Sequence, residues 1–232
     1  MTTTYSYFEK KTAPTGSTLY YSTLFSPAEI RHAVIALHAF YQELAEIGSK
    51  DPQVISQQLE WWHAEINRLA EQQPRHPITQ ALLPIIQQFQ IPIDILHSLI
   101  DHPDTEHIVK LTALYIPGGD QAKLAPYAQH LSQALQLIDH IINLRKILPP
   151  GETPPSLTEF TQQAQQAKEH YQKAREALPS ELRRTQLHQI IFAELQLKLL
   201  AEIQKDGFNV LTHKTNLTPL RKLWIAWRVQ HD

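Results

Sequence analysis

Carboxylates and histidines are the groups in this chain best suited to chemistry, because it contains no cysteine. That absence excludes disulfides, thiolate zinc sites and cysteine nucleophiles, and it fits a reducing compartment. There are 13 histidines, but none stands in the His-Glu-x-x-His spacing that places two metal ligands on one helix face. The densest cluster is Asp101-His102-Pro103-Asp104-Thr105-Glu106-His107. It reads as a loop in which Asp104 caps the next helix. Glu43 and Glu46 lie one helical turn apart, a spacing open to a solvated cavity edge or to weak cation binding. Asp139 and His140 are neighbours in sequence and so point to different faces of a helix, which argues against an acid–base dyad. Trp61, Trp62, Trp224 and Trp227 are expected to anchor helices to one another, though tryptophan also suits a membrane interface or a partner surface. Arg221, Lys222 and Arg228 read as a solvated face that could also meet phosphate or lipid headgroups.

The elements that must position these groups are helices. Of the 232 residues, 42% are hydrophobic and 19% charged, with a formal net charge of −2. That is enough apolar material for one sizeable core and too neutral a surface for a nucleic-acid partner. Period-2 alternation and hairpin dipeptides are scarce, whereas helix starts and stops recur. Ser26-Pro27-Ala28-Glu29 combines a capping box with an early proline. It opens a stripe of Ile30, Val34, Leu37, Phe40 (or Tyr41), Leu44 and Ile47, closed by Gly48. Asp51-Pro52 opens a helix running through Trp61 and Trp62, and Pro77 and Pro92 begin two shorter ones. A second capping box, Ser156-Leu157-Thr158-Glu159, leads to about Leu178. A long helix is expected from about Ser180 to Asp206, and Thr218-Pro219 opens the last, Leu220 to Val229. The expectation is an all-α, single-domain bundle of about eight helices over residues 1–232, with residues 1–16 as a flexible N-terminal segment. No stretch is apolar enough to span a bilayer, and Met1 to Lys11 lacks the apolar region of a secretory signal. The expected location is cytoplasmic, with peripheral contact at the inner face of the membrane open.

Three segments resemble a known family. The first is Gly16-Ser17-Thr18-Leu19-Tyr20-Tyr21-Ser22-Thr23-Leu24-Phe25, with Arg31 and Ala36-Leu37-His38-Ala39-Phe40-Tyr41 following. The second is Leu59-Glu60-Trp61-Trp62-His63-Ala64-Glu65-Ile66, with His76-Pro77-Ile78. The third runs from Glu202-Ile203-Gln204-Lys205-Asp206-Gly207-Phe208-Asn209-Val210 to Leu220-Arg221-Lys222-Leu223-Trp224-Ile225-Ala226-Trp227-Arg228. Together they resemble the squalene/phytoene synthases, and the third resembles the bacterial branch that forms presqualene diphosphate. The resemblance implies the isoprenoid-synthase type of helical bundle. It also implies that Tyr20, Tyr21, Arg31, His38, Tyr41 and Gln136 are candidates to approach its cavity, although Tyr20 and Tyr21 by themselves read more readily as core packing.

The family's reaction joins two prenyl diphosphates, and loss of diphosphate requires Mg²⁺ held by carboxylates and waters. Two aspartate-rich motifs are expected to face each other across the cavity. By the resemblance, the first motif falls in Glu43-Leu44-Ala45-Glu46-Ile47-Gly48-Ser49-Lys50, where the family's paired aspartates and its later aspartate correspond to Ala45, Glu46 and Ser49; of these only Glu46 is an acid, and Lys50 adds a positive charge. The arginine expected before it is Gln42. The second falls around Asp139, where the two metal-binding aspartates correspond to Asn143 and Ile147. The family's tyrosine-bearing helix after Ile100-Asp101 has no counterpart in the pattern, and Tyr115 is the tyrosine nearest that place. Glu43, Glu46 and Asp139 are too few carboxylates for several Mg²⁺ ions. No catalytic residue and no cofactor are therefore expected. The reading is a non-catalytic homologue that binds an isoprenoid or other lipid, or serves as an assembly or accessory factor beside a protein partner. The resemblance offers a precedent in a mitochondrial branch regarded as a respiratory complex I assembly factor. The alternative is an active Mg²⁺-dependent prenyltransferase making squalene, presqualene diphosphate or phytoene from farnesyl or geranylgeranyl diphosphate.

Overall fold

Proline and capping side chains set most of the helix starts, and the chain then packs each apolar stripe against its neighbours. The structure is a computed structural model that describes residues 8–47, 52–116, 118–149 and 151–231. Within these residues the helices are α1 (8–12), α2 (Thr18–Thr23), α3 (Ala28–Ile47), α4 (Pro52–Ala70), α5 (Pro77–Phe89) and α6 (Ile93–Asp101). They continue as α7 (Thr105–Tyr115), α8 (Gln121–Ile147), α9 (Leu157–Ala177), α10 (Leu187–Lys205) and α11 (Pro219–His231). No strand occurs among the described residues. The all-α expectation holds, with more helices than the eight anticipated because short α1 and α2 and the pair α7 and α8 carry weak start signals. Gly48, Ser49, Lys50 and Asp51 lie outside the described residues, as do Pro117 and Pro150.

α8 runs through the centre and packs most extensively on α7 and α9. α10 lies against α2, α11, α8 and α9, while α3 meets α5, α7 and α2. Phe40, Leu44, Leu69, Leu99, Leu131 and Ile191 are sealed in the core. No helix among the described residues is long and apolar enough to cross a membrane.

Four local expectations need correction. The long helix expected from Ser180 is a 3-10 turn at Ser180–Leu182 followed by α10 from Leu187, because Leu182 and Thr185 close tight turns before the regular helix begins. From residue 8 onward the N-terminal segment is not a free arm. Phe8, Thr12 and Ala13 are buried, and Glu9 meets Arg31 at 2.6 Å. Lys222 is not on a solvated face: it is buried, and its ammonium donates to the Gly16 carbonyl at 2.9 Å, tying α11 to the turn before α2. Gly16 holds a φ of +95°, a region that favours glycine. Of the four tryptophans only Trp62 is buried, its ring 5.2 Å from Phe40 and 4.9 Å from His76. Trp61, Trp224 and Trp227 stand out in solvent.

Glu65 explains the second of the segments singled out in the sequence. Its side chain is fully buried on α4, yet it accepts from the backbone N–H groups of Arg75 and His76, both at 2.7 Å, and from the Thr79 hydroxyl at 2.6 Å. Arg68 pairs with its other oxygen at 2.6 Å. Burial alone would raise this carboxyl, but four donors override it and hold the pKa at about 2. His76 in turn caps α5, which fixes the angle between α4 and α5.

Candidate functional site

α3, α7 and α8 converge at the N-terminus of α7. Asp104 caps that helix by accepting from the His107 N–H at 2.9 Å, as expected from the sequence. The next amide, that of Glu106, donates to Gln136 Oε1 of α8 at 3.0 Å. The Thr105 hydroxyl lies 3.4 Å from the Tyr41 hydroxyl of α3 and also faces Asp139 of α8. Asn143, one turn beyond Asp139, donates to Asp139 Oδ1 at 2.7 Å. Burial raises the Asp139 pKa, and the bonds from Thr105 and Asn143 oppose that rise. Burial likewise raises Tyr41, with Asp139 and Asp104 adding to the effect. The positive end of the α7 dipole faces these acceptors, so α8 spends Gln136 on capping another helix.

The structure brings together Tyr41, Gln136, Asp139 and Asn143 of the residues expected at the site. It does not add the carboxylates of α3 to them. Glu43 is paired with Lys11 of α1 at 2.5 Å. Ala45 and Glu46 face outward, Ile147 is 50% exposed at the end of α8, and Ser49 lies outside the described residues. Tyr20, Tyr21 and Arg31 form a separate cluster: the Tyr20 and Tyr21 rings meet edge-on at 5.1 Å, and the Arg31 guanidinium sits 5.3 Å over Tyr20 while pairing with Glu9. Among the described residues, no three His, Asp or Glu side chains are grouped so as to hold a metal ion. Tyr115, the tyrosine nearest the family's tyrosine helix, is buried at the end of α7.

Sequence reasoning missed the polar row that α10 sends inward. His188 is 2% exposed, and neither ring nitrogen has a hydrogen-bond partner. The Thr185 carbonyl lies near enough to favour its protonated form, though not in hydrogen-bonding geometry. Burial and the neighbouring His38 of α3 nonetheless hold its pKa down at about 3. His38, packed edge-on to Tyr41 and against Phe192, is lowered to about 4 by burial. Gln186 Nε2 donates to the Ala113 carbonyl at 2.9 Å, and Gln189 bonds the Thr112 hydroxyl. The available signal was a run of polar residues, Gln186, His188 and Gln189, interrupting an otherwise apolar helix.

The far ends of α3 and α7 frame a groove. It measures about 580 Å³ and lies among Ile30, Phe89, Leu114, Tyr115 and Leu187, with Arg184 at its edge. Ile30 lies eleven residues before Tyr41 on α3, so the groove and the polar cluster are roughly 16 Å apart along that helix at 1.5 Å per residue.

Residues 12–102 match the family model described as squalene/phytoene synthase. No curated protein sequence matches the chain. Among solved structures, the fold is similar to that of the squalene synthase HpnC from Alicyclobacillus acidocaldarius, with a TM-score of 0.69. Sequence identity is 15%, over 89% of this chain and 95% of that one.

Proposed function

Because residues 12–102 match the squalene/phytoene synthase family model and the fold is similar to that of a squalene synthase, we propose that the chain is a non-catalytic member of that family that binds an isoprenoid or other lipid without ionising a diphosphate. In this reading its biological output is that of a ligand-holding accessory or assembly factor. The observation that carries the proposal is the fate of the α8 pair. At the two positions where the family motif places aspartates, Asn143 is committed to an internal hydrogen bond with Asp139 and Ile147 is half exposed. Mg²⁺ needs several hard oxygen ligands around one ion. The three nearby acids are Glu43, held by Lys11; Glu46, turned outward; and Asp139, whose carboxyl burial pushes toward its neutral form. The residues present therefore do not fit the metal.

Binding is supported by what remains. The groove of about 580 Å³ has the size of a small-ligand pocket, with apolar residues such as Ile30, Phe89 and Leu114 beside polar ones such as Glu29, Gln88, Gln121 and Arg184. The row of His38, His188, Gln186 and Gln189 keeps polar atoms inside the bundle between that groove and the Tyr41 cluster.

Native mass spectrometry of the purified protein, with thermal shift against farnesol and farnesyl diphosphate, tests the reading. Stabilisation by both ligands, unchanged by EDTA, is expected. Stabilisation that appears only with farnesyl diphosphate and Mg²⁺ together contradicts it and favours the prenyltransferase alternative.

A further inference from the structure

α11 has two apolar faces, and the fold uses one. Ile225, Ala226 and Val229 pack inward with the buried Lys222. On the opposite side Leu220, Leu223, Trp224 and Trp227 follow the spacing i, i+3, i+4, i+7, a single stripe on a helix surface. All four are exposed: Leu220 by 81%, Trp224 by 54%, Trp227 by 50% and Leu223 by 39%. A contiguous row of large apolar side chains left in water marks an interaction surface.

Charge indicates what covers it. From Gly207 to Asp232 the sequence contains one acid, Asp232, against Lys214, Arg221, Lys222 and Arg228. Arg228 lies 5.1 Å over the Trp224 ring, and the His231 ring is 4.5 Å from Trp227, so cationic and ionisable groups border the stripe. Among the described residues the nearest acids belong to α10 and its end and are already matched. Glu202 meets Arg221 at 2.8 Å and Lys205 at 3.1 Å, and Asp206 meets His213 at 2.6 Å. Tryptophan and leucine on one face, arginine along its edge and an excess of basic over acidic residues in the segment are the features of a helix lying in the headgroup layer of an anionic bilayer.

We propose that the outer face of α11 docks this protein on an anionic membrane surface, with Trp224 and Trp227 entering the interface and Arg228 meeting lipid phosphates. Lys222, anchored to the Gly16 carbonyl, keeps the helix fixed to the body so that the stripe is presented without unfolding. The proposal is independent of whether the bundle ionises a diphosphate.

Co-sedimentation with vesicles of phosphatidylcholine containing one third phosphatidylglycerol, and with pure phosphatidylcholine, tests it. The folded chain is expected to sediment with the anionic vesicles, more weakly as salt rises. The W224A/W227A variant changes only exposed side chains and should retain its circular dichroism and melting temperature. It is expected to lose about tenfold or more in vesicle partitioning, and Arg228→Gln to lose part of the preference for anionic lipid. Three outcomes overturn the proposal: no sedimentation of the folded wild type, equal binding to neutral vesicles, or a concentration-dependent dimer that W224A/W227A abolishes and vesicles do not disrupt. The last would make the stripe a contact between two copies of the chain.

Discussion

Glu65 and His188 are both buried ionisable side chains, but the fold treats them in opposite ways. Glu65 is surrounded by donors, so its charged form is held and its pKa falls from 4.5 to about 2. A carboxyl lowered in this way stabilises the fold fully above about pH 4.5, and that contribution is lost as pH falls toward 2. Removing it leaves the Arg75 and His76 amides and the Arg68 charge without their acceptor. Glu65→Ala is expected to cost about 3 kcal/mol, read from chemical denaturation at neutral pH. His188 has no partner for either ring nitrogen, so its neutral form is favoured and its pKa drops to about 3, beside His38 at about 4. For these lowered histidines the stabilisation is complete above about pH 6.5 and declines as pH falls toward 4, since only the unfolded chain takes up the proton. Melting temperature should fall across that window, and His188→Leu should flatten the fall. An unchanged slope in the variant would show that His188 is not the group responsible.

At the scale of elements, the sequence displayed the helices whose starts are chemical and concealed those whose starts are supplied by other helices. Pro52, Pro77, Ser156 and Pro219 mark α4, α5, α9 and α11 in one dimension, and these elements begin where their caps predict. α7 was legible only through Asp104, because its second cap is Gln136, thirty-two residues away on α8. α8 itself was hidden by Pro126 and by apolar residues on several sides, the mark of a helix buried by neighbours on more than one face. The same remoteness hid half of the site. Asp139 and Asn143 could be placed on one helix face from spacing, but Tyr41 and Thr105 reach them only through the packing of α3 and α7 on α8. Lys11 was unreadable as the partner of Glu43 because nothing local ties α1 to α3. Asn143→Asp puts a second carboxylate against a buried one whose pKa is already raised. It is expected to destabilise the protein by about 1–3 kcal/mol at pH 7, with recovery as pH falls. Thermal melts with and without Mg²⁺ provide the check, and no recovery by the metal is expected, since among the described residues Asp139 stands in no group of three His, Asp or Glu.

The whole molecule is a helical bundle similar in fold to the squalene synthase HpnC, with the polar side chains of its central helices bonded to one another. Residues 12–102 carry the sequence match, and the fold extends over nearly the whole chain. α3 and α8 both pack against α7. Their polar side chains cap α7, bond one another and pair with Lys11 of α1, and a groove of mixed polar and apolar lining lies at the opposite end of α3. The central claim is that this interior holds a ligand and does not break its diphosphate bond. It is tested most directly by measuring diphosphate release from farnesyl and geranylgeranyl diphosphate, with and without Mg²⁺, on protein shown by circular dichroism to be helical. The account predicts no release above buffer under either condition. Metal-dependent release abolished by Glu46→Ala would contradict it and establish the chain as a prenyl-diphosphate-ionising enzyme.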